Sequence, residues 1–256
     1  MTSEDLLTAR AARQNSVRPA ALTPASVAGW VAELGFTTAA QLGDEAVEPL
    51  EAALAERRVV ELWLWPGVLR YCSAELLGYV YVCVGDRNLR EDFRRQARER
   101  QLSWLAAEVY EQLLGAEGAR TPGEVRERLG VERTSPLSIE RALSELAKTL
   151  KVVRLGRRGG EPQWQTLLAA FPHLQRAVDT VSLVEAAAAL ISRYLDAMVC
   201  ESEELLAAFF TPLFSRSRVR AALNGLEAAQ EAETVSLDGR QAWRLRPVEE
   251  PQERST

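Results

Sequence analysis

The sequence contains few of the residues that most enzymes and metal sites depend on. It has one histidine, His173, and three cysteines, Cys72, Cys83 and Cys200. A Ser-His-Asp or Cys-His catalytic arrangement would therefore need His173, which lies in a Phe-Pro-His linker. The cysteines show no Cys-x-x-Cys or metal-ligand spacing and are expected to be buried small hydrophobic residues. We therefore expect no metal and no cofactor, and the residues by themselves indicate no catalytic group.

Long apolar runs are also missing. No run approaches the roughly 20 residues that cross a bilayer. The N-terminus carries Glu4, Asp5, Arg10 and Arg13 and lacks the apolar core of a signal peptide. We therefore expect a cytoplasmic protein with no membrane partner. Its 256 residues, of which 47% are hydrophobic, are enough for two or three small domains.

Lysine is scarce as well, because Lys148 and Lys151 are the only lysines and the other cations are arginines. The net charge of −5 argues against an obligate polyanion binder. A locally basic face can still bind phosphates, since charges are screened beyond about 10 Å. Arginine offers a planar fork of donors that suits phosphate and guanine.

A pattern of about eighty residues occurs twice in the C-terminal half. An Ala-Leu-x-x-Leu segment at 142–146 is followed by Trp164, and one at 222–226 is followed at nearly the same distance by Trp243. In each copy two helical segments precede the Ala-Leu-x-x-Leu helix, and a short hairpin carrying the tryptophan follows it. Helix, helix, helix, hairpin is the order of a winged helix, whose third helix and hairpin usually contact DNA.

The predicted fold is mainly α-helical with small β hairpins. Two tandem winged-helix (helix-turn-helix) domains follow an N-terminal helical domain, which has the elements for a third, degenerate winged helix. The predicted boundaries are 1–20 for a flexible arm, 21–100 for the N-terminal domain with an arginine-rich linker helix, 101–172 and 178–246 for the winged helices, and 247–256 for a flexible tail.

Candidate DNA contacts lie on the third helices and at the first hairpin. Arg157 and Arg158 are at the predicted hairpin tip among glycines, and three arginines crowd the start of the second Ala-Leu helix. Phosphate contacts of this kind give affinity and orientation with little sequence choice. The predicted DNA-binding residues are Arg141, Lys148, Arg154, Arg157, Arg158, Arg216, Arg218 and Arg220.

The stretch 87–100 is rich in arginine and adds further candidates. Acidic residues are interspersed in it, so two interpretations are possible. The stretch is either a solvated linker helix with internal ion pairs or a helix that contacts phosphates. If the second alternative holds, Arg94, Arg95 and Arg98 contact DNA.

The element order also suggests a family. A helical region ending in Leu34-Gly35-Phe36, followed by tandem winged helices, resembles the bacterial crosslink-repair DNA glycosylases of the AlkZ type, and more closely their shorter relatives. The resemblance spans about residues 22 to 246 and rests on element order and sparse apolar matches. It implies winged helices and release of alkylated purines by a Gln-x-Gln or Gln-x-Asp motif shortly after a Leu-Gly. Here Thr37-Thr38-Ala39 follows instead, and the one Gln-x-Gln, Gln163 to Gln165, lies on a predicted hairpin strand.

Three functions remain open. The first is a DNA-binding protein of DNA repair or genome maintenance, non-catalytic or weakly catalytic, that binds double-stranded DNA mainly by its phosphate backbone. The second is a DNA glycosylase for alkylated or crosslinked bases with a relocated catalytic carboxylate, Asp44 or Glu45. The third is a protein-interaction scaffold or transcription regulator, which the net acidity and Glu140, Glu145 and Glu227 near the third helices favour.

Overall fold

The computed structural model of the protein describes residues 1–85 and 93–247. Its helices are joined by three antiparallel two-stranded hairpins, which confirms the mainly α-helical class with small β hairpins. Among the described helices, none combines the length and the apolar character needed to span a membrane.

The N-terminus differs from the flexible arm predicted for residues 1–20. It forms helix α1 (Ser3–Ser16), which packs on the C-terminal part of the chain. Leu6 is buried in a small apolar cluster with Cys200. The Arg10 guanidinium donates to the carbonyl of Cys200 at 2.7 Å and pairs with Glu201 at 3.0 Å. The sequence alone does not reveal this arrangement, because the apolar cover and the acceptors come from a segment about 190 residues away.

The first unit, residues 24–73, has three helical segments and then a hairpin, which is again the winged-helix order. Thr23 caps its first helix, and Pro24 occupies the first turn, where a missing backbone N–H costs no hydrogen bond. Its elements are α2 (Pro24–Leu34), α3 (Ala39–Leu42), a 3-10 turn (Asp44–Ala46), α4 (Val47–Ala55), β1 (Val59–Trp65) and β2 (Val68–Ser73), and the helix α5 (Ala74–Val84) follows.

The second unit, residues 104–166, repeats this order. Thr121 and Glu124 form a capping box at its second helix. Only Gly159 and Gly160 form the turn of its hairpin, and Gly156 lies in a bulge of the first strand. Its elements are α7 (Trp104–Leu114), α8 (Pro122–Leu129), α9 (Pro136–Lys148), β3 (Val152–Arg158) and β4 (Glu161–Thr166), and the short helix α6 (Phe93–Arg98) precedes them.

The third unit, residues 183–245, is the last copy. Asp238 and Gly239 form the tight turn of its hairpin, with positive φ angles of 47° and 75°, as is typical of an Asp-Gly pair between two strands. Its elements are α12 (Leu183–Met198), α13 (Glu203–Phe210), α14 (Arg216–Ala228), β5 (Ala232–Leu237) and β6 (Arg240–Leu245), and the connecting helices α10 (Leu167–Ala170) and α11 (Leu174–Thr180) precede them.

The tryptophans of the repeat occupy equivalent places. Trp164 is the fourth residue of β4 and Trp243 the fourth residue of β6, so the predicted repeat is confirmed. Tyr71 is the fourth residue of β2, which makes the first unit a further copy. In every unit this aromatic residue also pairs, through its backbone, with a residue that precedes the second helix. The pairs are Thr37 with Tyr71, Arg120 with Trp164, and Glu201 with Trp243.

The third helices of the units differ in how far neighbouring units cover them. The first and second units pack reciprocally, with α4 against β3 and α9 against β1. The third unit instead uses α12 to pack on α2 and α5. Helix α14 packs mainly against α12, α13 and β5 of its own unit. Among the third helices, that of the third unit is therefore the least covered by the other units in the described part of the chain.

Gly156 makes the contact between the first two units possible. It has a φ of 69°, which side chains disfavour. A Cβ atom at this position would lie 2.7 Å from the carbonyl oxygen of Glu51 and 3.1 Å from Cβ of Ala55, both on α4. Only glycine lets the β3 bulge approach the α4 backbone this closely.

Candidate nucleic-acid interface

Helix α14 brings its predicted arginines together on an exposed surface. Arg216 and Arg220 are each 61% exposed, and both face the carboxylate of Glu203 on α13, at 3.9 Å and 2.7 Å. Arg218 is partly exposed and forms no ion pair with any residue that the structure describes. The three arginines lie in the first turns of the helix, where the helix dipole also favours anions. The carboxylate of Glu203 therefore faces two guanidinium groups, and the third, that of Arg218, has no ion pair among the described residues.

The hairpin of the second unit holds Arg157 and Arg158, as predicted. Arg157 is 56% exposed, donates to the carbonyl of Gly160 at 2.8 Å and lies 3.7 Å from Glu51. Arg158 is 51% exposed and pairs with Glu124 at 2.5 Å. Pairs this exposed contribute little stability, so a phosphate can replace either carboxylate at small cost.

Helix α9 carries the other two predicted surface cations, Arg141 and Lys148. Both are exposed, and neither forms an ion pair within the described part of the chain. Glu145 on the same helix is turned away to the start of α7, where it accepts hydrogen bonds from the backbone amide and the hydroxyl of Ser103 at 2.6 Å and 2.7 Å. Its negative charge is thus partly satisfied by α7.

Arg154 does not lie on this surface. Its side chain is 9% exposed and pairs with Glu51 at 2.7 Å and with Glu61 at 2.5 Å. Burial alone would lower the pKa of Arg154, but the hydrogen bonds and charges of the two carboxylates outweigh it and raise the pKa. Arg154 therefore joins the first and second units and is buried from any phosphate.

The arginine-rich stretch lies partly outside the described residues, which resume at 93. Arg94, Arg95 and Arg98 are exposed on α6. Arg94 pairs with Glu111 on α7, and Arg95 lies 3.6 Å from Glu99. The contact between Arg95 and Glu99, four residues apart, is an internal ion pair of the kind expected of a solvated linker helix, whereas Arg94 pairs with a neighbouring helix.

The two candidate carboxylates of the glycosylase alternative lie on the surface. Asp44 and Glu45 are exposed in the 3-10 turn that precedes α4. Glu45 pairs with Arg18, which is half exposed. Thr37, which follows the Leu-Gly-Phe stretch, is fully buried and pairs with Tyr71 by two backbone hydrogen bonds of 3.0 Å and 2.8 Å.

A cleft between the first hairpin and α9 was not predicted. This junction cleft has a volume of about 390 Å³. Its residues come from three distant parts of the chain, so that no local pattern could have indicated it. Its charged and aromatic lining includes Glu61, Trp63, Tyr71, Glu140, Arg154 and Trp164.

Comparisons with known proteins agree with this architecture. The model of a family described as AlkZ-like DNA glycosylases matches residues 35–256. The solved structure of the DNA glycosylase AlkZ of Streptomyces sahachiroi superposes with a TM-score of 0.63 at 19% sequence identity, covering 96% of this chain and 70% of that chain. At this identity the structural likeness shows a shared fold. A search of curated proteins finds no match.

Proposed function

Because the chain belongs to the AlkZ-like DNA glycosylase family, we propose that it binds duplex DNA in DNA repair or genome maintenance, mainly through the phosphate backbone. Family membership suggests DNA repair and DNA binding. In this proposal the protein binds double-stranded DNA and is non-catalytic or only weakly catalytic.

The open face of α14 is the observation that carries the proposal. At the start of this helix Arg216 and Arg220 share the carboxylate of Glu203, and Arg218 has no ion pair among the described residues. A phosphate placed there meets guanidinium donors and the positive end of the helix dipole together. Since α14 packs mainly within its own unit, a duplex can approach without rearranging the other units.

A second set of phosphate contacts is proposed for the second unit. It consists of Arg157 and Arg158 on the hairpin and Arg141 and Lys148 on α9. The hairpin and the third helix are the parts that winged-helix domains place on DNA. Arg154 is excluded from this set because it is buried in its ion pairs. Arg94, Arg95 and Arg98 remain weaker candidates, since carboxylates already face two of them.

Salt-dependent binding tests the proposal. Fluorescence anisotropy with a labelled duplex should show affinity that falls steeply with salt, by a slope of about −0.9 in log K against log salt for each neutralised phosphate. The variant R157A/R158A and the variant R216A/R218A/R220A should each flatten the slope by roughly one to three units and weaken binding to all sequences alike. A matched control is R58A, since Arg58 is an exposed arginine, 54% accessible and paired with Glu56, that is not among the proposed contacts, and it should leave the slope nearly unchanged. A parent protein that binds no duplex even at low salt would favour the scaffold or regulator alternative, with protein partners.

We expect no release of alkylated bases. Thr37 is buried and held by its backbone, Thr38 caps α3, and Ala39 has no functional group. None of them can orient water or stabilise an oxocarbenium-like sugar. The measurement is the number of abasic sites formed in a duplex containing 7-methylguanine. A burst of abasic sites that is lost on changing Asp44 or Glu45 would support the glycosylase alternative, which family membership favours equally.

A further inference from the structure

The contact between the first hairpin and the third unit holds a guanidinium group on an aromatic surface. The Cζ atom of Arg70 on β2 lies 4.7 Å from the ring centroid of Phe209 on α13 and 5.4 Å from that of Trp65 on β1. The indole Nε1 of Trp65 donates to the carbonyl of Phe209 at 2.8 Å, which fixes the hairpin to α13. The two rings form an aromatic shelf under Arg70, to which both units contribute.

Arg70 lacks the carboxylate partner that other partly buried arginines of this chain have. Arg10, Arg13 and Arg154 each pair with a carboxylate at 2.7–3.0 Å. Arg70 forms no ion pair within the described residues, and its buried Nε finds no acceptor there. Burial lowers the pKa of Arg70, and no carboxylate opposes this shift. Contacts with ring faces offset only part of the cost of burying a charge, so the fold alone does not account for this group.

A second donor without a partner lies against the same shelf. Tyr194 on α12 packs on Phe209 with the ring centroids 4.3 Å apart, and its hydroxyl forms no hydrogen bond within the described part of the chain. Burial raises the pKa of Tyr194 to about 12, against the nearby charges of Arg10 and Arg70, so the phenol keeps its proton at neutral pH. Arg70 and Tyr194 therefore place N–H and O–H donors beside one ring, and the described residues supply no acceptor for either.

The charges around these donors fit an anion with a single negative charge. Glu201, whose carboxylate lies near Tyr194, is already paired with Arg10 at 3.0 Å. The carbonyl of Phe209 lies at the negative end of the α13 dipole, and it already accepts from Trp65. What remains is one guanidinium charge beside a neutral phenol. A phosphodiester matches this charge and offers two acceptor oxygens, whereas a phosphomonoester carries about −1.5 to −2.

We propose that Arg70 and Tyr194 together bind one phosphodiester group of the DNA backbone where the first hairpin meets the third unit. The hairpin is a part that winged-helix domains place on DNA, so a bound duplex can reach the aromatic shelf. This inference rests on the proposed function and adds a contact outside α14 and the second unit. A phosphodiester held here contacts two units at once and thereby fixes the first hairpin on the third unit.

Two variants separate the charge from the hydroxyl in salt-dependent binding to a labelled duplex. Arg70→Met removes one phosphate contact and should flatten the slope of log K against log salt by about 0.9. Tyr194→Phe removes a hydroxyl and no charge. It should weaken binding about three- to tenfold at every salt concentration and leave the slope unchanged. An unchanged slope in Arg70→Met would overturn the inference.

The matched control for the hydroxyl is Tyr79→Phe. Tyr79 is also partly buried, but it lines a groove beside His173 and Arg193, and this variant should bind like the parent. A Tyr194→Phe variant that binds as tightly as Tyr79→Phe would count against the site. Thermal unfolding separates binding from folding, because methionine also packs well on aromatic rings and Arg70→Met should keep Tm at or above that of the parent. A lower Tm together with an unchanged slope would assign Arg70 to the fold alone.

Failure of this inference can be separated from failure of the proposed function. If the parent binds duplex and both variants bind like Tyr79→Phe, DNA binding stands and the phosphodiester site does not. If the parent binds no duplex even at low salt, dimethyl phosphate at constant ionic strength serves as the probe, since it carries the same single charge. A rise in Tm of the parent that Arg70→Met and Tyr194→Phe both lose would support the site on its own. No rise, or a larger rise with inorganic phosphate, would overturn the assignment to a phosphodiester.

Discussion

Replacing Arg154 with methionine should strongly destabilise the protein. The side chains of Arg154 and Glu61 are 9% and 2% exposed, whereas Glu51 is 24% exposed. Without Arg154, Glu51 can turn to water, but the buried Glu61 keeps only the indole of Trp63 as a donor. Breaking a buried ion pair from one side typically costs about 3–5 kcal/mol. For a chain of this size that loss lowers Tm by roughly 6–20 °C.

The assay is urea unfolding followed by circular dichroism, with a double-mutant cycle. Adding Glu61→Gln to Arg154→Met removes the uncompensated charge and should recover about 1 kcal/mol or more. Arg158→Met is the control, because its ion pair with Glu124 is half exposed and should be worth less than about 1 kcal/mol. Two results would refute a buried, uncompensated charge on Glu61. One is that Arg154→Met lowers the free energy of unfolding no more than Arg158→Met, and the other is that the double variant is less stable than Arg154→Met alone.

Two further predictions concern backbone packing and pH. Gly156→Ala should cost about 2–5 kcal/mol in urea unfolding, since a strained φ costs roughly 1–2 kcal/mol and overpacking against Glu51 adds roughly 1–3 kcal/mol. Gly159 has a similar φ of 61°, but a Cβ atom there would have no neighbour within 4 Å, so Gly159→Ala should cost only the free energy of the strained φ. Equal losses of stability in the two variants would contradict the close contact at Gly156. Burial raises the pKa of Tyr71 and of Tyr194 to about 12. Because the unfolded chain loses these protons near pH 10, the free energy of unfolding should fall as pH rises from about 10 towards 12. Ultraviolet titration of the folded protein in which every tyrosine ionises near pH 10 would contradict this.

Local chemistry made much of the fold predictable from the sequence. Helix caps at Thr23 and Thr121 depend on residues within one turn, and the Asp238-Gly239 turn depends on its own two residues. The equivalence of Trp164 and Trp243 followed from a repeated pattern, since each unit must bury the same faces.

Long-range pairing accounts for what the sequence could not predict. Arg154 was expected on a DNA-contacting hairpin, but its carboxylate partners lie 93 and 103 residues earlier in the chain. The docking of α1 depends in the same way on acceptors about 190 residues away. The junction cleft arises only when the first and second units pack on each other. Arg157 and Arg216 are exposed as predicted, because a hairpin tip and a helix start are set by residues close in sequence.

Amide hydrogen exchange in the presence and absence of a duplex at low salt tests most directly where DNA binds. The duplex should slow exchange at the start of α14, residues 216–220, and in the hairpin segment 157–160. Helix α1 is held on the third unit by Leu6 and Arg10 and carries none of the proposed contacts, so its exchange should not change. A duplex that binds yet leaves both 216–220 and 157–160 unprotected would contradict the proposed interface.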